Sequence, residues 1–430
     1  MKWLGKSDTL LSCEFLLRWL FFVSLAFTAT TGGLQVGEAQ TYQVLHSFTS
    51  GPDGAFPTGA LASDGRGNLY GTASTGGNTG GSCPSQGCGA VFQLKNKNGS
   101  WLFAPLFDFP THGNSGITPY GGVTIGPDGS LYGTTLQGGT NSLGTVFNLK
   151  PPSHAAGNLF ASWNYTRIYA FALDSYGYYP VYGSLIFDAA GNIYGTASEG
   201  GNFDGECSDD DGCGTVFKLT HAGGDWTISA FQFLGRASGS TPYSGVIMDG
   251  SGTLYGTTMT DGVDDPMAYE LIPDGTGWNE TVLHTFPIDQ RPQGSVIFDA
   301  AGDLVGTSFA TDGLLGNAVY QLSSAGGNWT YQVLHVFPSS EPYGPWSGLT
   351  RDSDGNLYGT TCGDGTFARG SIFRLSPSQG GWTLTDLHDF DGSDGECPIG
   401  NMVLDPDGTL YGTASGGGDF GWGVVWKLAP

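Results

Sequence analysis

The chain has 430 residues, of which 39% are hydrophobic and 13% aromatic, so it carries enough apolar surface for a packed core and is not a disordered chain. Its 15 lysines and arginines stand against 39 aspartates and glutamates, and the formal charge of −24 opposes broad contact with nucleic acid or an anionic membrane. The same charge is compatible with neutral or cationic ligands and with divalent cations.

The first 39 residues differ in character from the rest and predict a signal peptide, residues 1–39. A basic start precedes the apolar run 19–27, and small residues precede Gln40, where we expect cleavage. A cut nearer Ala29 and a retained N-terminal anchor are the alternatives, although the apolar run is short for a membrane span. We therefore expect bacterial-type export, a secreted or cell-surface protein, and no membrane span after cleavage.

The dipeptide Gly-Thr recurs seven times across the remaining chain in nearly the same surroundings. Its glycines are Gly71, Gly133, Gly195, Gly256, Gly306, Gly359 and Gly412. Around each, alternating apolar residues and turn signals indicate four short strands, as in residues 345–390, and nothing in the pattern is helical. Repeated four-stranded units are typical of a β-propeller. The prediction is an all-β fold in which residues 40–430 form one seven-bladed propeller.

The start of the exported chain predicts how the ring closes. Residues 41–48 read Thr-Tyr-Gln-Val-Leu-His-Ser-Phe and nearly copy residues 330–337, a predicted fourth strand. The sequence stops at Pro430, directly after a third strand. We therefore predict that residues 41–48 supply the fourth strand of the last blade.

Two positions of the repeat have structural explanations. The glycine of Gly-Thr lies in a strand covered on both faces, so we expect it to make room for a bulky side chain of a neighbouring blade. A second glycine closes the first hairpin turn of every unit, where a positive φ is wanted. Six units place an aspartate three residues before it, and we expect these carboxylates to accept backbone N–H groups: Asp64, Asp188, Asp249, Asp299, Asp352 and Asp405.

Six cysteines remain after the signal peptide, an even number in a chain bound for an oxidising compartment. Two pairs are close in sequence, and the last two cysteines would then form the third pair. The predicted disulfides are Cys83–Cys88, Cys207–Cys213 and Cys362–Cys397, one of the fifteen pairings that six cysteines allow.

The repeat also resembles a known family. Leu131–Phe147 contains Leu-Tyr-Gly-Thr-Thr, then Gly-Gly, then Gly-Thr-Val-Phe, which is similar to the GloVer tandem repeat of bacterial secreted proteins, and the likeness extends over residues 42–428. The resemblance implies a secreted or surface-displayed protein. It brings no known activity and no catalytic residues to carry over. The Asp-x-x-Gly-Asn-Leu-Tyr turn is more distantly similar to that of NHL and lactonase-type propellers, through turn chemistry alone.

The segment that enters each first strand varies between units and contains the candidate binding site. In a propeller the first strand lines the central channel, so these positions surround one mouth of it. Four units place an aromatic residue there: Tyr120, Tyr182, Tyr243 and Trp346. Aromatic rings in an acidic surrounding suit a sugar or another neutral or cationic ligand. A plug of the channel mouth explains the same four rings and is favoured over a binding site by the sequence alone.

We therefore predict a monomeric binding or interaction module, with a glycan or a cell-surface protein as partner and no nucleic-acid partner. The alternative function is an extracellular hydrolase or lactonase-type enzyme with a metal in the channel, which needs convergent carboxylates, Asn or His at the mouth. The entry segments present Thr, Gln, Ile and aromatic residues instead. No catalytic residues are assigned.

Two other groups of residues carry weaker functional hypotheses. An acidic loop in the third unit offers oxygen ligands for calcium: Asp204, Glu206, Asp209 and Asp211. A solvated, disulfide-closed loop explains the same residues, so we predict no cofactor and keep calcium as the alternative. Four histidines share one place in the fourth strand, and their repetition around a ring favours a structural role: His46, His284, His335 and His388.

Overall fold

The computed structural model describes residues 40–112, 114–152, 162–174, 176–203, 207, 211–235, 238–259, 264–310, 317–337 and 344–430. The signal peptide predicted over residues 1–39 lies outside them and stays a prediction. Within the described residues the regular elements are β-strands, and no helix is long and apolar enough to cross a membrane.

The strands form seven antiparallel sheets in chain order, which we number as blades 1 to 7. Blade 1 contains β2 (Ala62–Ser63), β3 (Asn68–Ala73), β4 (Ala90–Lys97) and β5 (Ser100–Asp108). Blade 2 contains β7 (Thr124–Ile125), β8 (Leu131–Thr135), β10 (Thr145–Lys150) and β11 (Asn164–Ala170), with β6 (Gly116–Ile117) and β9 (Gln137–Gly138) paired beside it. Blade 3 contains β12 (Ile186–Phe187), β13 (Ile193–Ala197), β14 (Thr215–Ala222) and β15 (Asp225–Gln232).

The remaining blades repeat this order. Blade 4 contains β16 (Ile247–Met248), β17 (Leu254–Thr257), β18 (Met267–Pro273) and β19 (Trp278–Thr285). Blade 5 contains β21 (Ile297–Phe298), β22 (Leu304–Ala310), β23 (Ala318–Ala325) and β24 (Asn328–Val336), with β20 (Gln290–Arg291) paired to β22. Blade 6 contains β25 (Thr350–Arg351), β26 (Leu357–Thr361), β27 (Ser371–Ser378) and β28 (Gly381–Asp389). Blade 7 contains β29 (Val403–Leu404), β30 (Leu410–Ala414), β31 (Val424–Ala429) and β1 (Thr41–Ser47). The predicted seven-bladed propeller is confirmed.

The ring closes as predicted, through the first strand of the described chain. β1 pairs antiparallel with β31, from Thr41 opposite Ala429 to Ser47 opposite Val424. Phe48, which follows β1, is fully buried in a cluster with Leu61 and Phe92 of blade 1. The first and last strands of the described chain therefore share one blade, and the cluster joins that blade to blade 1.

The glycine of each Gly-Thr makes room for an aromatic ring, but that ring belongs to the same blade and not to a neighbouring one as expected. Gly195 lies directly opposite Phe217 in the β13–β14 pair. A Cβ at Gly195 would lie 2.6 Å from Phe217 Cζ and 2.8 Å from Leu185 Cδ2, distances that real Cβ atoms do not show. The same cross-strand pairing recurs in every blade, with Phe92, Phe147, Phe217, Tyr269, Tyr320, Phe373 and Trp426. The space over each glycine is therefore occupied by a side chain from the third strand of the same blade.

The threonine of Gly-Thr joins neighbouring blades. In blade 5, the buried Thr307 hydroxyl donates to the Ser347 carbonyl, 2.7 Å away, in the segment that enters blade 6. Thr413 makes the equivalent bond across the ring closure, to the Gly59 carbonyl at 3.3 Å. Corresponding bonds start from Thr72, Thr196, Thr257 and Thr360. The motif thus sets both the packing inside a blade and the contact with the next.

The first hairpin turn is held by its aspartate in five of the six predicted cases. Asp188 Oδ1 accepts the N–H groups of Ala190 and Asn192 at 3.0 and 2.9 Å. Burial alone raises the pKa of Asp188, but the hydrogen bonds, led by those from Asn192, outweigh it and hold the pKa below its usual value. The equivalent bonds are made by Asp64, Asp249, Asp299 and Asp352.

The prediction is wrong for Asp405. In that turn Asp407 Oδ1 accepts the Thr409 N–H at 3.0 Å, while the Asp405 carboxylate faces the Ser63 hydroxyl of blade 1 at 3.4 Å. Burial and then the nearby Asp407 carboxylate raise the pKa of Asp405. At the ring closure the turn aspartate is therefore used for a contact between blades.

The four repeated histidines lie in the outer strands, and three of them stack on an aromatic ring of the next blade. His46 stacks on Phe103 with centroids 3.9 Å apart, His284 on Tyr331 at 4.3 Å, and His388 on Tyr42 at 3.8 Å. His335 instead contacts Phe337 of its own blade edge-on. Three of the histidines therefore pack at blade boundaries, and His335 packs within its own blade.

Candidate binding face at the channel mouth

The antiparallel order of each blade places its functional segments at one end of the ring. The chain enters a first strand, turns, returns along the second, and so brings the loop between second and third strands back to the entry end. We call this end the entry face. The first turn and the turn between third and fourth strands lie at the other end, which we call the turn face.

A strained turn presents the entry segments in five blades. The residue before the entry proline has a positive φ although it is not glycine, with values between 52° and 58° at Phe56, Thr118, Tyr179, Thr241 and Cys397. Such a conformation costs about 1–2 kcal/mol for a residue with a Cβ, so surrounding contacts must hold it. Three of these turns immediately precede the predicted tyrosines Tyr120, Tyr182 and Tyr243.

Backbone hydrogen bonds hold each strained residue to two blades. The Thr118 N–H donates to the Cys88 carbonyl of blade 1 at 2.8 Å, and the Thr118 carbonyl accepts from Leu136 of blade 2 at 2.9 Å. Thr241 bonds in the same way to the Cys213 carbonyl and the Met259 N–H, both at 2.9 Å. The entry segments are therefore fixed by the blade before and the blade after them.

All three predicted disulfides are present, and all reach this face. Cys83–Cys88 and Cys207–Cys213 close the loops whose Cys88 and Cys213 carbonyls hold Thr118 and Thr241. Cys362–Cys397 joins a loop of blade 6 to the strained residue that enters blade 7. The cross-links thus stabilise the entry face and not the body of the blades.

The structure brings three of the four predicted site residues together. Tyr182 lies between Tyr120 and Tyr243, with ring centroids 5.4 and 5.1 Å away. All three rings are half-buried at the mouth of the channel. Burial raises the pKa of Tyr182, and the phenols of Tyr243 and Tyr120 raise it further. We call this group the tyrosine cluster.

Trp346 does not join the tyrosine cluster. It packs on Phe309 of blade 5, with ring centroids 5.5 Å apart. Trp346 and Tyr182 both line the central channel, together with Thr58, Ser244, Gln293 and Asn401. The space left between these side chains is about 30 Å³, enough for one or two water molecules and far too small for a sugar ring. A ligand on this face would have to lie over the mouth.

Glu199 is a carboxylate beside the tyrosine cluster that the sequence did not single out. It follows β13 and pairs through its backbone with Tyr178. Burial and then the nearby Asp211 carboxylate raise the pKa of Glu199 to about 7. Burial raises the pKa of Tyr243, and Tyr120 and then Glu199 raise it further. The sequence signal was weak, because a glutamate after a second strand occurs only in blade 3.

The predicted calcium ligands Asp204, Glu206 and Asp209 lie outside the described residues. Asp211 is described, and its carbonyl accepts hydrogen bonds from the Gly200 N–H at 2.6 Å and the Tyr178 hydroxyl at 3.1 Å. The described residues contain no cluster of three or more His, Cys, Asp or Glu arranged to hold a metal. Calcium at the acidic loop therefore stays an alternative hypothesis.

The repeat itself decides the family. The Gloeobacter/Verrucomicrobia repeat matches residues 33–208, 85–313 and 267–430, which together span nearly the whole chain. The chain belongs to the Gloeobacter/Verrucomicrobia repeat family. The family assignment confirms the resemblance seen in the Leu-Tyr-Gly-Thr-Thr units. No curated protein matches this Gloeobacter/Verrucomicrobia repeat protein.

Solved structures of similar fold are distant in sequence. A PL25 ulvan lyase bound to -[GlcA(1-4)Rha3S]- is 12% identical with a TM-score of 0.53, covering 90% of this chain and 96% of the lyase. The polysaccharide lyase Uly1 is 12% identical with a TM-score of 0.51, covering 87% and 90%. PorZ, a surface component of the type-IX secretion system of Porphyromonas gingivalis, is 13% identical with a TM-score of 0.51, covering 86% of this chain and 46% of PorZ. At these identities the likeness shows the fold alone.

Proposed function

We propose that this Gloeobacter/Verrucomicrobia repeat protein is an extracellular binding module that holds a saccharide over the channel mouth. The observation that carries the proposal is the tyrosine cluster, formed by three consecutive blades and fixed by strained, hydrogen-bonded turns. A strained residue precedes each of the three tyrosines, and backbone strain of this kind is concentrated at functional sites.

The chemistry of the face suits a sugar. Half-buried tyrosine rings offer apolar faces for the C–H groups of a pyranose, and their hydroxyls exchange hydrogen bonds with sugar hydroxyls. Glu199 beside Tyr243 and Gln293 in the channel lining add acceptors and donors. Polysaccharide lyases among the solved structures of similar fold are compatible with this ligand class.

The disulfides of the entry face favour an extracellular location. Three disulfides persist only where thiols are not kept reduced, which favours a secreted or surface-exposed protein. A metal-dependent hydrolase or lactonase is the second candidate. The described residues that line the channel contribute hydroxyl and amide groups and no carboxylate, a donor set that fits a binding face better than a calcium centre.

The test is a glycan array probed with residues 40–430 and with two alanine variants. We expect wild type to retain at least one neutral oligosaccharide, and Tyr182→Ala and Tyr243→Ala to weaken that binding at least tenfold, since central aromatic contacts dominate such interfaces. Calorimetry on the selected oligosaccharide gives the affinities.

Two control variants separate binding from folding. Tyr182→Phe keeps the ring and should retain most of the affinity. Leu384→Ala removes an exposed side chain on the outer strand β28, remote from the channel, and should bind as wild type does. An array without a retained glycan, or equal affinity in wild type and Tyr182→Ala, would contradict the proposal.

A further inference from the structure

The turn face carries grooves between neighbouring blades that the tyrosine cluster does not explain. Three of them, between blades 1 and 2, 2 and 3, and 3 and 4, have volumes of about 540, 900 and 260 Å³. Each is lined by first-turn residues of one blade and by residues of the third-to-fourth-strand hairpin. Since both turns lie at the end opposite to the entry segments, these grooves are separate from the proposed saccharide face.

The same two aromatic positions of the repeat line each groove. One is the tyrosine that precedes Gly-Thr, and the other is a tryptophan at the start of the fourth strand of the next blade. The pairs in the three grooves are Tyr70 with Trp163, Tyr132 with Trp226, and Tyr194 with Trp278. Ring centroids are 5.9 Å apart in the first pair and 6.4 Å in the third. Each tryptophan is half-buried, so part of its ring faces the groove.

Two more blade boundaries carry the same pair. Tyr255 and Trp329 have ring centroids 6.3 Å apart between blades 4 and 5, and Tyr411 and Trp101 are 5.6 Å apart across the ring closure. The aromatic pair therefore recurs at five of the seven blade boundaries. Each pair offers the same kind of contact surface, which suits a ligand of repeating units.

Hydrogen-bond donors and acceptors surround the aromatic pairs. The residue directly opposite the tyrosine on the third strand is Gln93, Asn148 or Lys218 in the three grooves, and Lys218 Nζ lies 5.3 Å from the centre of the Tyr194 ring. The first-turn aspartates Asp64, Asp128 and Asp188 line the same grooves. Donors and acceptors thus stand next to each exposed aromatic surface.

The charge of the grooves differs from that of the chain. Only 15 lysines and arginines occur in the sequence, whose net charge is −24. Five of them line these grooves: Arg66, Lys95, Lys150, Arg167 and Lys218. The aspartates that line the grooves offset them in the second and third grooves and leave one net positive charge in the first, so none of the three grooves shares the strongly acidic character of the molecule. This balance favours a neutral ligand rich in hydroxyl groups over a polyanion or a polycation.

We propose that the grooves of the turn face are subsites for the pyranose units of a neutral polysaccharide. Each unit would lie on the exposed part of the tryptophan ring, with the tyrosine, the third-strand side chain and the turn aspartate around its hydroxyls. The two larger grooves have the volume of ordinary small-ligand sites. Because the sites repeat along the ring, a polymer that enters two of them binds more tightly than its separate units.

The boundary between blades 5 and 6 lacks the tyrosine and therefore provides an internal control for the grooves. There Val305, which is fully buried, replaces the tyrosine, and Trp382 packs against the cluster that contains it. Trp382 has the same place in its strand as Trp226 but lacks the aromatic partner. Removing Trp382 should therefore cost packing without affecting ligand binding.

The test is affinity electrophoresis of residues 40–430 through gels that contain laminarin, xyloglucan, glucomannan, alginate or polygalacturonate. We expect at least one of the three neutral polymers to retard wild type, and Trp226→Ala to weaken that retardation at least threefold. Trp382→Ala is the matched control and should migrate as wild type does. Lys150→Ala, which changes an exposed side chain of the largest groove, should weaken retardation without lowering the melting temperature.

Each outcome decides the proposal. Retardation by alginate or polygalacturonate alone, retardation by none of the polymers, or equal losses in Trp226→Ala and Trp382→Ala would overturn it. The proposed function fails separately, because Tyr182→Ala alters the entry face and leaves the grooves intact. A polymer released by Trp226→Ala and retained by Tyr182→Ala would support the grooves even if the tyrosine cluster bound nothing.

Discussion

The threonine of Gly-Thr shows most clearly what a single residue does in this ring. Six of the seven hydroxyls lie on a second strand and donate to a backbone carbonyl in the entry segment of the next blade. Thr134 of blade 2 is the exception, because its buried hydroxyl has no hydrogen-bond partner among the described residues. The exception provides a matched pair for measuring the bond.

Thr307→Val should lower the free energy of unfolding by about 1–3 kcal/mol, because the isosteric change leaves the buried Ser347 carbonyl without its donor. Chemical denaturation of residues 40–430 measures the loss. Thr134→Val, at the same position of another blade, should be neutral or slightly stabilising. Equal effects of the two substitutions would show that the bond contributes nothing specific.

Residues whose role is set within one turn could be predicted from the sequence. Residues whose role depends on another strand or another blade could not. The turn glycines and five turn aspartates were predictable because a hairpin demands them locally. The partner of Gly195 was misassigned to another blade because strand register, which places Phe217 opposite it, cannot be read from one strand. Glu199 was missed because its position beside Tyr243 depends on two different blades.

At the scale of the element, the outer strands contact one another through stacked rings. The His284 ring of β19 lies on Tyr331 of β24 with an interplanar angle of 2°. Burial lowers the pKa of His284. The neutral imidazole therefore belongs to the folded state, and protonation opposes the stack.

The stability of wild type relative to His284→Phe should fall as the pH is lowered from 7 to 5. The unfolded chain, with the ordinary histidine pKa near 6.5, binds more protons in this window than the folded chain does, so acid favours unfolding. Denaturation midpoints of both proteins at each pH give the difference. Tyr331→Phe keeps the histidine and should keep the pH dependence. A constant difference between wild type and His284→Phe would contradict the account.

Element types and order were predictable because each short strand is bounded by turn residues and repeated seven times. Six of the seven fourth strands begin with a tryptophan, and this spacing is visible in the sequence. Its meaning is not, because the tyrosine that lies beside five of these tryptophans comes from the preceding blade. Only the closed ring brings Tyr194 and Trp278 to one groove.

At the scale of the whole molecule, closure depends on the pairing of β1 with β31. Removing residues 41–48 should abolish the cooperative unfolding transition or lower the melting temperature, because β31 loses its partner and Tyr42 no longer stacks on His388. Scanning calorimetry measures the change. A synthetic peptide of residues 41–48 should restore part of the lost stability in trans. A truncated protein that melts as wild type does would refute closure by this strand.

The whole ring also explains why the two faces differ. The entry face carries strained turns, all three disulfides and the tyrosine cluster, whereas the turn face carries regular hairpins and aromatic grooves. The predicted site residues were found from variation within the repeat. Trp346 does not join the tyrosine cluster, and this was not predictable because it results from a contact with Phe309 of the preceding blade.

Binding of a saccharide at the entry face can be tested by hydrogen–deuterium exchange of residues 40–430 with and without an oligosaccharide selected on the array. We expect slower exchange in the segments 119–122, 180–184 and 242–245, which carry Tyr120, Tyr182 and Tyr243, and unchanged exchange in the outer strands. Exchange that is unaltered in these three segments while the ligand is bound would contradict it.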